Sequence, residues 1–183
     1  MPEDVTMRDL APHEAPLLAR LAERLFRDTY GATHADMLDP YCARAFAPGV
    51  QERELAEPGA GVLLAEVDGE PAGYAQYRRR PAPDVVGDAD AVEVARFYVE
   101  RRYHGTGVAQ RLMDAMLARA AADGARTVWL QVAEYNARAL AFYQRRGFRP
   151  VGRIPFDFAG VRENDHLLAI EVEGPGLGTG DWG

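Results

Sequence analysis

Two glycines, Gly105 and Gly107, lie between a β-patterned run ending Phe97-Tyr98-Val99 and a long apolar-patterned run that begins at Val108. A strand that feeds a glycine turn and then a helix is a natural place for a phosphate. The first N–H groups of a helix have no carbonyl four residues back, and they carry partial positive charge. Glycine removes the Cβ that would keep a phosphate off the backbone. The stretch His104-Gly-Thr-Gly-Val-Ala109 therefore reads as a pyrophosphate cradle, with binding rather than covalent chemistry as its task.

A second constellation follows, Leu130-Gln-Val-Ala-Glu-Tyr-Asn-Ala-Arg-Ala-Leu-Ala-Phe-Tyr-Gln-Arg-Arg-Gly-Phe148. Asn136 and Tyr143 are seven residues apart, two helical turns, so they share one face. Asn136 stands where an N-cap would stand. Tyr143, beside Phe142 and three residues from Leu140, has the spacing of a half-buried core aromatic and also carries a hydroxyl.

Strands and helices must position these groups. A short strand is expected at 5–8 and an amphipathic helix over 12–30, where Leu17, Leu18, Leu21, Leu25 and Phe26 recur at helical spacing. Shorter helical pieces are expected near 40–46 and 50–57, punctuated by Pro48-Gly49 and Pro58-Gly59. Residues 61–67 and 71–78 flank Asp68-Gly69 as a β-hairpin. A polar loop at 81–90, a strand at 91–99 and a helix at 106–122 come next. Then follow a strand at 127–132, a helix at 136–146 ended by Gly147, and closing strands at 148–154 and 166–172. The strands flanking the 106–122 helix should be parallel neighbours, because a helical crossover returns the chain in the same direction. The class is α/β (α+β), with residues 1–173 as one domain and 174–183, rich in glycine, expected to be a flexible tail.

Composition bounds the function. The chain has 183 residues, 48% hydrophobic and 27% charged, enough for one well-packed domain. Lys+Arg total 21 against 28 Asp+Glu, a net charge of -7, which disfavours nucleic acid as a partner. The single cysteine, Cys42, excludes an intrachain disulfide and a multi-Cys zinc site, and no metal is expected. No secretory h-region and no apolar run of membrane-spanning length is present, so a cytoplasmic protein without a membrane partner is expected.

The paired segments resemble the GNAT superfamily of N-acetyltransferases. In that family a strand ending in an aromatic-Val pair leads to Gln/Arg-x-x-Gly-x-Gly/Ala, and a later segment reads Asn-x-x-Ala-x-x-Phe-Tyr-x-x-x-Gly-Phe. The later pattern is met at Asn136, Ala139, Phe142, Tyr143, Gly147 and Phe148. The earlier one is met across His104, Gly105, Thr106, Gly107, Val108 and Ala109, with His104 replacing the usual Gln or Arg. The end segments, including Asp165-His-Leu-Leu, look more like bacterial small-amine and spermidine/spermine-type acetyltransferases. The resemblance implies a mixed, mostly antiparallel sheet whose parallel central pair splays apart, with helices on both faces.

It also implies acetyl-CoA as cofactor and direct acetyl transfer to a primary amine, a small amine or polyamine ahead of a protein N-terminus or lysine. By that resemblance Phe97 N–H points at the developing oxyanion, and Val99 grips the pantetheine amide beside Tyr98. Asn136 contacts the pantetheine or its thioester end. Tyr143, a phenol with pKa ~10, donates a proton to the departing thiolate. Some relatives place a catalytic glutamate where Glu93 stands. Four residues at ~3.3 Å each put it ~13 Å from Phe97, a distance that calls for a water relay or a bulge. His34, His104 and Glu134 are lesser candidates for the base. The acceptor site is expected from residues 25–46, the hairpin and the 81–90 loop, with Tyr30, His34, Tyr41 and Tyr77 as its polar groups. The alternative is a non-catalytic acyl-CoA-binding or sensing domain, and the assembly is expected to be a monomer or homodimer.

The other features read as structural. Arg78-Arg79-Arg80 suits a solvated strand end, with the cofactor's ribose phosphate as a possible reach. Cys42 is a small packed residue, His13 a surface residue, and Trp129 core.

Overall fold

A computed structural model describes residues 4–32, 35–158 and 161–173. Seven strands form one sheet in the order β1-β2-β3-β4-β5-β7-β6, with only β4 and β5 parallel. The strands are β1 Val5–Asp9, β2 Gly61–Val67, β3 Glu70–Arg79, β4 Val92–Val99, β5 Thr127–Val132, β6 Arg149–Phe158 and β7 Val161–Glu171. The five helices are α1 Ala15–Tyr30, α2 Ala35–Ala45, α3 Pro48–Ala56, α4 Val108–Ala122 and α5 Ala137–Arg145.

Helix α1 turns Leu18, Leu21, Ala22, Leu25 and Phe26 onto one face of the sheet, where they pack with Val62, Leu64 and Tyr74. Helices α2 and α3 extend that layer with Leu38, Cys42 and Leu55. Pro48 opens α3 rather than breaking the chain before it, because a proline at the first helical position removes only an N–H that has no partner there. Pro40 sits inside α2, which therefore starts five residues earlier than the sequence suggests.

The opposite face carries α4 and α5. Val108, Leu112, Met113, Met116 and Ala120 lie on Leu63, Ala75, Tyr77, Val94, Val128 and Leu130. Helix α5 ends at Gly147 (φ 93°), and Phe148 N–H returns to Tyr143 O at 3.0 Å, which drives the Phe148 ring into this core. Trp129 is 1% exposed among Ala91, Leu167 and Ala169, as its β-rich surroundings predict. The closing strands run longer than expected, because β6 and β7 pair from Arg149 with Ala169 out to Phe158 with Val161. No helix of the described residues is long and apolar enough to cross a membrane. The expected tail, 174–183, lies outside the described residues.

Two details of β4 set the geometry of everything below. It pairs with β5 only at Val92, Glu93 and Val94, opposite Val128, Trp129 and Leu130, and beyond these residues the two strands separate. Against β3 the register runs Gln76 with Arg96 and then Tyr77 with Val94, so Ala95 is an extra residue, a β-bulge.

Candidate functional site

The gap between β4 and β5 exposes a backbone edge. Glu100 N–H donates to Ala72 O at 2.7 Å, so residue 100 faces β3. In an antiparallel ladder successive residues alternate sides, so Phe97 and Val99 turn their N–H and C=O groups the other way, into the gap. That is the edge to which an extended amide-bearing arm can add like a strand.

At the foot of the gap the chain passes through a short 3-10 turn, Arg101–Tyr103, and reaches α4. Gly107 holds φ 92°, ψ -9° as the N-cap, a left-handed conformation that costs a residue with a Cβ about 1–2 kcal/mol. No side chain caps this helix, so its first N–H groups, from Val108 and Ala109, remain directed outward. Gly105 (φ 80°) has open space where a Cβ would stand. An open, glycine-flanked, uncapped helix start fits a pyrophosphate on shape as well as on charge. His104 faces the strand instead: its Nε2 lies 2.8 Å from Val99 O, and its buried Nδ1 has no partner. Val99 O can only accept, so Nε2 carries the proton. Burial holds the ring's pKa below its ordinary value.

Tyr143 projects from α5 toward Phe97, with ring centroids 6.2 Å apart, and is flanked by Phe142 at 5.4 Å and Phe148 at 5.7 Å. Burial pushes the Tyr143 hydroxyl well above the ordinary phenol range, so it stays protonated. The field of Tyr30, at the end of α1, adds to that shift in the same direction. Asn136 caps α5: its Oδ1 accepts from Ala139 N–H at 3.1 Å, leaving the side-chain N–H₂ to donate elsewhere.

The bulge at Ala95 changes which residues share a face. Tyr74, Gln76 and Arg78 alternate along β3, and their partners Tyr98, Arg96 and Glu93 point the same way, toward α1–α3. Phe97 and Val94 point toward α4 and α5. Glu93 thus stands on the face opposite the Phe97 ring, although four-residue spacing in a flat strand would put them together. Its carboxylate, 4% exposed, is held by Arg78 Nε at 2.6 Å and by Arg80 Nη2 at 2.7 Å. Arg78 and Arg80 are therefore not a free solvated end, and Arg80 also lies 5.3 Å over the Trp129 ring.

Of the tyrosines expected around an acceptor, the structure brings together Tyr30 and Tyr41 but not Tyr77. Phe26 sits 4.6 Å from Tyr30, 4.7 Å from Tyr41 and 6.3 Å from Tyr98, and Tyr98 is 5.8 Å from Tyr74. These rings belong to, or pack against, the core between the sheet and α1–α3. Tyr77 pairs with Val94 and is buried under α4, where its hydroxyl accepts from Arg119 at 3.2 Å. His34 lies outside the described residues. The spacing reading missed Asp165 and Glu163, which β7 buries on the α1–α3 face. The signal was the alternation Glu163-x-Asp165-x-Leu167-x-Ala169, readable as one inward face.

The Acetyltransferase (GNAT) family model matches residues 18–148. An uncharacterized N-acetyltransferase of Mycobacterium tuberculosis (strain ATCC 25618 / H37Rv) is 39% identical over 118 residues, 64% of this chain and 71% of that protein. The spermine/spermidine N(1)-acetyltransferase of Bacillus subtilis (strain 168) is 29% identical over 91 residues, 49% of this chain and 60% of that protein. The crystal structure of PaiA N-acetyltransferase from Thermoplasma acidophilum in complex with coenzyme A matches with TM-score 0.74 at 16% identity. It covers 92% of this chain and 99% of that one. The splayed parallel pair, the uncapped glycine turn and the paired Asn136 and Tyr143 belong to a chain that is a member of the GNAT family of acetyltransferases.

Proposed function

We propose that this protein transfers an acetyl group from acetyl-CoA to a primary amine of a small amine or polyamine, directly, within a complex of both substrates. The observation that carries this reading is the opening between β4 and β5, edged by Phe97 and Val99, with Tyr143 on one side and the glycine turn at its foot. The N–H groups of Gly105, Gly107, Val108 and Ala109 would hold the pyrophosphate, with Thr106 closing the turn through its own N–H to Tyr103 O at 3.3 Å and His104 bordering them on the strand side. Phe97, Tyr98 and Val99 would hold the pantetheine arm along the open edge, and Asn136 would donate to it from α5. Bound there, acetyl-CoA supplies a thioester carbonyl as electrophile and a thiolate as leaving group.

The chain's own residues then do three things. Phe97 N–H, fixed in the sheet, donates to oxygen that gains negative charge as the amine attacks. Tyr143, protonated by virtue of its burial, donates its proton to the departing sulfur. Glu93 lies on the α1–α3 face, and because its oxygens already accept from Arg78 and Arg80 it would receive the acceptor's proton only through water and not by direct contact. The fully buried Cys42, with its pKa raised by burial, stays a thiol, which suits a cytoplasmic protein.

Purified protein is tested with acetyl-CoA against a panel of amines, following free thiol. Release that depends on the amine supports transfer. Tight cofactor binding with no release from any acceptor turns the reading to a binding or sensing domain.

A further inference from the structure

Strand β7 carries an inward face that begins with two carboxylates. Glu163 is 9% exposed and Asp165 4%, and they continue the row of Leu167 and Ala169, at 2% and 7%. Leu168 pairs with Leu130, the last β5 residue that β4 still touches, so Asp165 stands three residues past that point. It therefore borders the gap on the α1–α3 side. Asp165 Oδ2 accepts from Gln131 Nε2 at 2.8 Å, while Oδ1, equally buried, has no partner. A buried carboxylate oxygen left without a donor is costly unless something from outside fills it.

The surroundings say what would. Burial first, and then the charges of Asp165 and Glu163, raise the pKa of the Tyr30 and Tyr135 hydroxyls. The rings of Tyr30, Phe26, Tyr98 and Tyr74 pack against one another on the same face, and the Tyr74 hydroxyl is a second wholly buried group without a partner. Carboxylate acceptors beside aromatic faces select an ammonium and reject an anion.

We propose that Asp165 anchors a second ammonium of the acceptor, one that is not acetylated, so that the substrates are α,ω-diamines and polyamines rather than monoamines or amino acids. The inference rests on the acetyl-transfer reading above and narrows its acceptor. The reacting nitrogen must be neutral to attack, and a buried carboxylate beside it would hold it charged. Asp165 is instead placed for the far end of the molecule. It lies two strands from β4, and strands ~4.8 Å apart, with β4 and β5 parted further beyond Val94 and Leu130, put it at least ~10 Å to the side of the edge that positions the reacting centre. A chain of a few methylenes spans that offset, with its carbons against the tyrosine rings.

The test compares 1,4-diaminobutane with butylamine. Wild-type protein is expected to give a KM at least ~10-fold lower for the diamine, and Asp165→Asn to raise that KM ~10-fold or more with kcat within ~3-fold. Butylamine kinetics and acetyl-CoA KM are expected to be unchanged by the substitution. Asp165→Glu should recover part of the diamine preference. A wild type that does not favour the diamine overturns the proposal, whether or not the variants fold. Equal effects of Asp165→Asn on both amines, or none on either, overturn it too. If wild type acetylates neither amine, the acetyl-transfer reading is what fails. Calorimetric titration of 1,4-diaminobutane into the coenzyme A-loaded protein then decides the anchor. Binding by wild type that Asp165→Asn abolishes upholds it, and absence of binding by wild type, or binding that survives the substitution, removes it.

Discussion

His104 Nε2 donates to Val99 O across 2.8 Å, which ties the turn before α4 to the open edge of β4. This accounts for the residue at which the chain departs from the usual Gln or Arg. The imidazole serves the strand, and the phosphates are left to backbone N–H groups.

His104→Gln should therefore preserve the turn, since an amide can also donate to Val99 O, and coenzyme A affinity should stay within ~3-fold of wild type. His104→Ala leaves that carbonyl without its donor and should weaken coenzyme A binding ~2- to 12-fold, the range of one hydrogen bond. Calorimetric titration of both variants checks this, and equal affinities for all three proteins would refute the bracing role.

The same residue gives a pH dependence. Its folded pKa lies below the unfolded value of ~6.5, so the unfolded state binds its proton first as pH falls. Stability from the neutral ring is present above pH ~6.5 and is lost as pH drops through that value toward the lower folded pKa. Arg101 and Arg138, both lowering that pKa, act in the same sense. Thermal unfolding from pH 7.5 to 5 should show a steeper fall for wild type than for His104→Gln.

Tyr143→Phe keeps the ring contacts with Phe97 and Phe148 and removes only the proton donor. It should lower kcat ~10²-fold or more and change coenzyme A affinity less than ~3-fold. Because burial raises the hydroxyl's pKa, kcat of the wild type should show no loss from this group up to pH ~10. Unchanged turnover in Tyr143→Phe would remove it from the acid role.

Glu93→Gln deletes a buried charge that two arginines share. Arg78 and Arg80 are 31% and 45% exposed, so water compensates part of the loss, and a destabilisation of about 1–3 kcal/mol is expected. Urea unfolding measures it. Rates measured where the variant is fully folded separate this loss from any effect on proton removal.

Gly107→Ala adds a Cβ to a backbone held at φ 92° at the N-cap of α4. A stability loss of about 1–2 kcal/mol is expected, together with at least ~10-fold weaker coenzyme A binding. Ala109→Gly, two residues on, should cost stability alone, about 0.5–1 kcal/mol.

Cys42 is 1% exposed and its pKa is raised, first of all by burial. Native protein should react only slowly with a disulfide reagent and yield its one thiol on denaturation, so thiol release in the transfer assay reports the cofactor.

Much of this protein was legible in the order of its residues, because the signals involved are local. Helix periodicity in residues 15–30, the Asp68-Gly69 hairpin, the Asn136 cap and the two glycines before α4 each depend on neighbours within a few positions. The parallel placement of β4 and β5 follows from the helix between them. What depends on pairing between distant segments needed the tertiary structure. The extra residue Ala95 is invisible without the β3 register, yet it decides that Glu93 and the Phe97 ring lie on opposite faces, while Tyr77 leaves the acceptor side by its alternation with Gln76 and Arg78 along β3. The two rings that remain there, Tyr30 and Tyr41, are gathered by Phe26 and Tyr98 from elements far apart in sequence. Asp165 reads along the chain as one more acidic residue near the C-terminus. Its burial, its bond to Gln131 and its one unfilled oxygen arise only when β7 closes against β5, because burial is a property of what surrounds a side chain and not of the side chain itself.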